Sequence, residues 1–144
     1  MDEQEYKQLL IRIITAAIVI DGVIDDKEIQ VARHIVQSEN IASYKDSEET
    51  VRQLIAEVED KGSNFANDIM REVRRASLNK EQCLNVLKQL FTIIVSDDDI
   101  DYREVRFFKK IRKCFTCRLT DSEIMQHIPD ISKSFLAPDV YDIQ

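Results

Sequence analysis

The chain has 144 residues, 44% hydrophobic and 33% charged, with a net charge of −7. These are the proportions of one globular domain, and the acidic balance excludes the basic excess usual in a nucleic-acid binder. Two glycines and two prolines occur in all, with Pro129 and Pro138 near the end, so the long stretch before them lacks a strong helix breaker and an all-α fold is expected. The sequence shows no secretory leader and no run of about 18 apolar residues, which points to a cytoplasmic protein.

A first helix is predicted over residues 3–20, where Tyr6, Leu9, Leu10, Ile13, Ile14, Ala17 and Ile18 recur at steps of three and four. Asp25 and Glu28 then stand three apart, the spacing at which a cap side chain and a third-position carboxylate satisfy a helix's first free amides. A second helix is expected from about Asp26, burying Ile29, Ala32, Ile35 and Val36. After a polar break over residues 40–48, Val51, Leu54, Ile55 and Val58 mark a third helix that ends near Gly62, the place for a left-handed terminus. Ser63 is the expected cap of a fourth helix, which turns Phe65, Ile69, Met70 and Val73 inward and Arg71, Arg74 and Arg75 toward water.

Asn79 and Gln82 form another capping pair, opening a long fifth helix with Cys83, Val86, Leu87, Leu90, Phe91, Ile94 and Val95 on one side. Asp101 and Glu104 repeat the cap spacing for a sixth helix, lined by Val105, Phe108 and Ile111. Thr120 and Glu123 open a short seventh, and Pro129 closes it. The domain expected is a seven-helix bundle over residues 1–128, followed by a tail, residues 129–144, that either packs through Phe135 and Leu136 or frays.

Two of these turns are copies. "DGVIDDKE" at residues 21–28 returns 76 positions later as "DDDIDYRE" at 97–104, and the apolar stripes on either side follow the same offset. The architecture expected is therefore two pseudo-symmetric helix–turn–helix units, with the first and fifth helices at the centre and both acidic turns at one end. The turns hold nine acids (Asp21, Asp25, Asp26, Glu28, Asp97, Asp98, Asp99, Asp101, Glu104) against two bases, Lys27 and Arg103. Elsewhere 18 acids face 18 bases, so the whole net charge sits in the two turns.

Asp25, Glu28, Asp101 and Glu104 suit helix starts, where free amides and the positive end of the dipole favour an anion. Asp21 and the run Asp97, Asp98, Asp99 fall instead where a long helix finishes, and each anion there costs about 0.3–1 kcal/mol against the same dipole. Two readings fit: a capped turn in a solvated acidic patch, or a cation site pooled from both loops. Oxygen donors of this kind suit calcium, magnesium or manganese rather than zinc or copper. Neither loop has the twelve-residue pattern of an EF-hand.

Three cysteines, Cys83, Cys114 and Cys117, are too few for a disulfide framework and read as core thiols of a reducing compartment. The stretch "REVRFFKKIRKCF" places Arg106, Lys109, Lys110 and Lys113 around Phe107 and Phe108, either a core-facing helix with cations near its C-terminus or a basic face for an acidic partner or a membrane surface. His34 reads as structural. No phosphate-cradling glycine loop and no nucleophile elbow is present, so no catalytic reaction is expected.

With an apolar helix, an Asp-Gly turn, Ile, an acid and Glu occurring early and again half a chain later, residues 5–128 resemble the TerB-like domain family, typified by the tellurite-resistance protein TerB. The resemblance implies a bundle of about seven helices with no established catalysis, associated with tellurite and stress resistance and membrane-linked complexes. It also implies divalent-cation binding through the acidic loops. By matching position it selects Asp21, Gly22, Asp25 and Glu28 in the first turn, and Asp97, Asp101 and Glu104 in the second. Of these candidate metal ligands, Asp21, Asp97, Asp101 and Glu104 are foremost, with Asp25 and Glu28 engaged as caps. Asp98 departs from the family, which often has glycine there. The alternative to a cation-binding module is a helical adaptor that needs no metal and docks a protein or a membrane surface. Protein partners are expected in either case, and oligomeric state stays open.

Overall fold

A computed structural model describes residues 2–62, 64–96 and 99–138. Among these residues every regular element is helical: α1 (Glu3–Val19), α2 (Asp26–Ser38), α3 (Tyr44–Lys61), α4 (Asn64–Arg75), α5 (Lys80–Ile94), α6 (Tyr102–Cys114), α7 (Asp121–His127) and a 3-10 turn at Lys133–Phe135. Seven α-helices and no strand match the reading of the sequence. Ser63, Asp97 and Asp98, for which a cap, a ligand and a turn position were expected, lie outside the described residues.

α1 is the hub. Leu10, Ile13, Ile14, Ala17 and Ile18 are fully buried, and Ile11 and Ala16 on the remaining faces are nearly so, because α2, α3, α4 and α5 all lie against it. A helix enclosed this way needs apolar residues all round rather than a single stripe, and each fully buried Leu or Ile contributes about 1.5–3 kcal/mol of hydrophobic stabilisation. Thr15, also buried, donates its hydroxyl to the Ile11 carbonyl at 2.7 Å, which satisfies it within the helix. α5 is the second central helix, in contact with α1, α2, α6 and α7.

The capping pairs act where the sequence put them at two helix starts. Asn79 and Gln82 form the reciprocal box at α5, and Thr120 and Glu123 form it at α7. Gly62 ends α3 with φ of 64°, and Gly22 turns away from α1 with φ of 77°, backbone that a residue with a Cβ adopts only under strain.

Two expectations need correction. The polar stretch over 40–48 is not all break: α3 starts at Tyr44 with Ser43 as its cap. Its first turn gives no apolar signal because it faces water, except for Ser47, which is fully buried and accepts from Arg33 Nε at 3.0 Å while Arg33 also stacks on the Tyr44 ring. Val95, placed on the buried stripe of the fifth helix, lies just past its end and is 37% exposed. Of the two alternatives for the tail, packing is the one seen at Phe135, which lies edge-on against Phe91 and Phe108 with ring centroids 5.2 and 5.1 Å away.

The orientation of the two central helices decides where the turns go. Near the start of α5, the Asn85 amide donates to the Tyr6 hydroxyl near the start of α1 at 2.7 Å. It also donates to Glu39, just past the end of α2, and Gln89 donates to the same Glu39 oxygen, each at 3.1 Å. Burial pushes the Tyr6 phenol up to about 12, so it stays neutral in this network. With their starts together and their lengths similar, α1 and α5 run parallel, and α2 comes back to that starting end. Both acidic turns therefore sit at the opposite end.

Candidate functional site

The first turn is built by its own aspartates. Asp21 Oδ1 accepts the Val23 amide at 2.9 Å, and Asp25 Oδ1 accepts the Lys27 amide at 2.7 Å. The second turn repeats the cap, with Asp101 Oδ1 accepting the Arg103 amide at 2.7 Å. Asp25 and Asp101 also share a backbone conformation, φ and ψ of −101° and 136° against −80° and 136°. At the two caps the copied sequence thus folds alike.

At both starts the cap carboxylate takes the second helical amide rather than the third, and the third position shows a burial that the sequence did not suggest. Glu28 and Glu104 are 2% and 3% exposed, two of the four buried polar or charged residues of the described chain. Oε2 of each is a buried oxygen outside any hydrogen bond, although both residues have other partners. Spacing could not reveal this, since the third position of a helix faces either the cap or the core depending on how the helix is rolled.

The second turn differs in its guanidinium. Arg103 Nε and Nη2 hold Asp101 Oδ1 and Oδ2, each at 3.1 Å. That side-chain bond, then the Arg103 amide, keep the Asp101 carboxyl below the ordinary range. Arg103 also feels the charge of Asp21 in the other turn, after that of Asp101 and ahead of Glu104 in its own, so the two turns are neighbours at this end of the bundle.

Among the described residues no three or more of His, Cys, Asp and Glu stand close enough together to hold a metal ion. Asp21, Asp25, Glu28, Asp101 and Glu104 thus share an end of the bundle without forming a ready ligand cluster, and Asp97 lies outside the described residues. The donor chemistry fits a hard cation, since all of these are oxygens, and Asp21 and Asp25 each use one oxygen on a backbone amide. Asp101, with both oxygens on Arg103, fits only if that pair opens.

The other candidates resolve simply. Cys83 and Cys114 are buried and Cys117 is half-buried, all three free; burial pushes the Cys83 thiol up to about 12 and raises Cys114, which suits core thiols and not nucleophiles. Phe107 and Phe108 are both core residues, 1% and 0% exposed, so the basic stretch of α6 offers cations to solvent without its aromatic half. No helix among the described residues is long and apolar enough to cross a membrane. One feature of the acidic end went unread in the sequence: Val23, Ile24, Val95, Ile100 and Tyr102 are exposed there by 64%, 40%, 37%, 46% and 57%. The signal for it was the isoleucine at the fourth position of both copies.

A family model described as tellurite resistance protein TerB matches residues 8–127, the span that contains both turns and all seven α-helices but for the first residues of α1. No curated protein and no solved structure matches the chain.

Proposed function

The chain belongs to the TerB family, and from that premise we propose that it is a non-catalytic module whose acidic end binds a hard divalent cation, calcium, magnesium or manganese, within a tellurite- or stress-response assembly. The observation that supports this reading most is the doubling of one acidic turn on one surface, with Asp21 of the first copy in the field of Arg103 of the second. Asp21 and Asp25 would hold the ion from the first turn, and Glu104 with Asp97 from the second. A bound dication supplies charge neutralisation where several anions oppose the dipoles of α1 and α5. Three free cysteines suit a reducing compartment such as the cytoplasm.

Thermal unfolding after chelation tests the reading. An ion that binds only the folded chain stabilises it by RT ln(1 + [L]/Kd), about 2.7 kcal/mol at a hundredfold excess over Kd. Calcium, magnesium or manganese should raise Tm above the value in sodium chloride of matched ionic strength, and Asp21→Asn with Asp25→Asn should remove the rise. Melting curves that coincide with the sodium chloride control for all three ions would reject it.

A further inference from the structure

Five of the seven large apolar side chains exposed among the described residues, Val23, Ile24, Val95, Ile100 and Tyr102, lie at the end of the bundle that carries the two acidic turns. The other two, Tyr44 and Met125, lie elsewhere. Scattered exposed apolar residues are ordinary; a gathering of most of them on one end is not. Ile24 and Ile100 occupy the same place in the two copies of the turn, and neither is used by the core, so the repeat presents a pair of apolar contacts at equivalent sites. Around them stand the exposed acids Asp26 and Asp99 and the capping acids Asp25 and Asp101. Exposed apolar side chains and acids gathered at one end form the complement of one kind of ligand.

We infer that this end docks a basic amphipathic helix of a partner protein, its apolar stripe against Ile24, Ile100 and Tyr102 and its flanking lysines or arginines toward the acids. Charge decides the occupant: an anionic membrane or nucleic acid is repelled by the surface that holds the whole net charge of the chain, and a second copy would have to bring its own acids against these. The helix-in-groove mode supplies affinity through apolar anchors, while the acids steer encounter and set orientation.

The test is fluorescence anisotropy of a labelled Leu/Lys peptide with leucines at helical spacing, against a scrambled peptide of the same composition, in chelator and about 0.15 M salt. Working in chelator separates this inference from the cation reading, since either can fail alone. The amphipathic peptide should bind at least about tenfold more tightly than the scrambled one, and Ile24→Ser with Ile100→Ser should weaken it about tenfold. Asp26→Asn with Asp99→Asn should weaken it and flatten its salt dependence, while Tyr44→Ser with Met125→Ser should leave it unchanged. Circular dichroism confirms the fold of each variant, all being surface changes. Equal binding of the two peptides, equal loss in the Tyr44 and Met125 control, or sedimentation showing that the free chain covers this end with a second copy would each overturn the inference.

Discussion

In the first hairpin α2 lies against the long helix α3, and its central core position is Ala32; in the second hairpin α6 lies against α4 and α5 as well as the short 3-10 turn, and the equivalent position, Phe108, meets Phe135 of that turn. Ala32 and Phe108 are both fully buried. A helix face that receives another helix wants a small residue so that the axes approach, whereas a face covered by a short turn must fill the volume with its own side chain. At the acidic end the same two hairpins hardly differ: equivalent caps, equivalent buried glutamates, equivalent exposed isoleucines. The repeat is kept where the turns share a surface and relaxed where each hairpin meets a different neighbour.

The largest test of that contrast is volumetric. Phe108→Ala should cost about 3–5 kcal/mol, because it empties the space between α6 and Phe135. Ala32→Leu should cost about 1–3 kcal/mol by overpacking the α2–α3 contact. Urea denaturation of both variants measures this, and a neutral Ala32→Leu would mean that α3 is not closely seated on α2. The caps come next, and here the halves should agree. Asp25→Ala and Asp101→Ala should each lower stability by about 1 kcal/mol, and since Arg103 adds only an exposed pair to Asp101, the two losses should lie within about 0.5 kcal/mol of each other. A wide gap would show that the turns are alike in shape but not in energetics.

The smallest effect is a pH response confined to the second half. Lys80 at the start of α5 pairs with Glu123 of α7 at 2.6 Å, whereas Gln4 stands at the equivalent place in α1. The Lys80 bond first, then the Thr120 amide, hold the Glu123 carboxyl at about 2, below its ordinary 4.5. A depressed carboxyl stabilises the fold above its ordinary value and loses that contribution as pH falls toward the folded one. Glu123→Gln should therefore flatten the acid limb of stability between about pH 4.5 and 2, with no matching change for Gln4→Glu.

Much of the fold was legible because apolar periodicity and capping pairs are local properties: Asn79 with Gln82 and Thr120 with Glu123 marked helix starts that formed as read. The start of α3 was not, since a first turn that faces water has no apolar stripe. The candidate site was legible only as a doubled acidic pattern. Glu28 and Glu104 have the spacing of caps and the burial of core residues, and the roll of a helix that decides between these is set by contacts many residues away. The 40% and 46% exposure of Ile24 and Ile100 was not legible either, because both lie in turns, where no helical period assigns a face.

The enclosure of α1 has a consequence for synthesis on the ribosome. Residues of α1 emerge before those of α5, and the surface that α5 covers cannot be covered until Ile94 has been made. At about 5–20 residues per second this leaves one of the most apolar segments of the chain without its central partner for roughly 4–15 seconds. Until α5 docks, that face is open to non-native contacts, and a synonymous change that slows translation between α2 and α5 lengthens the exposure without altering a single residue of the product.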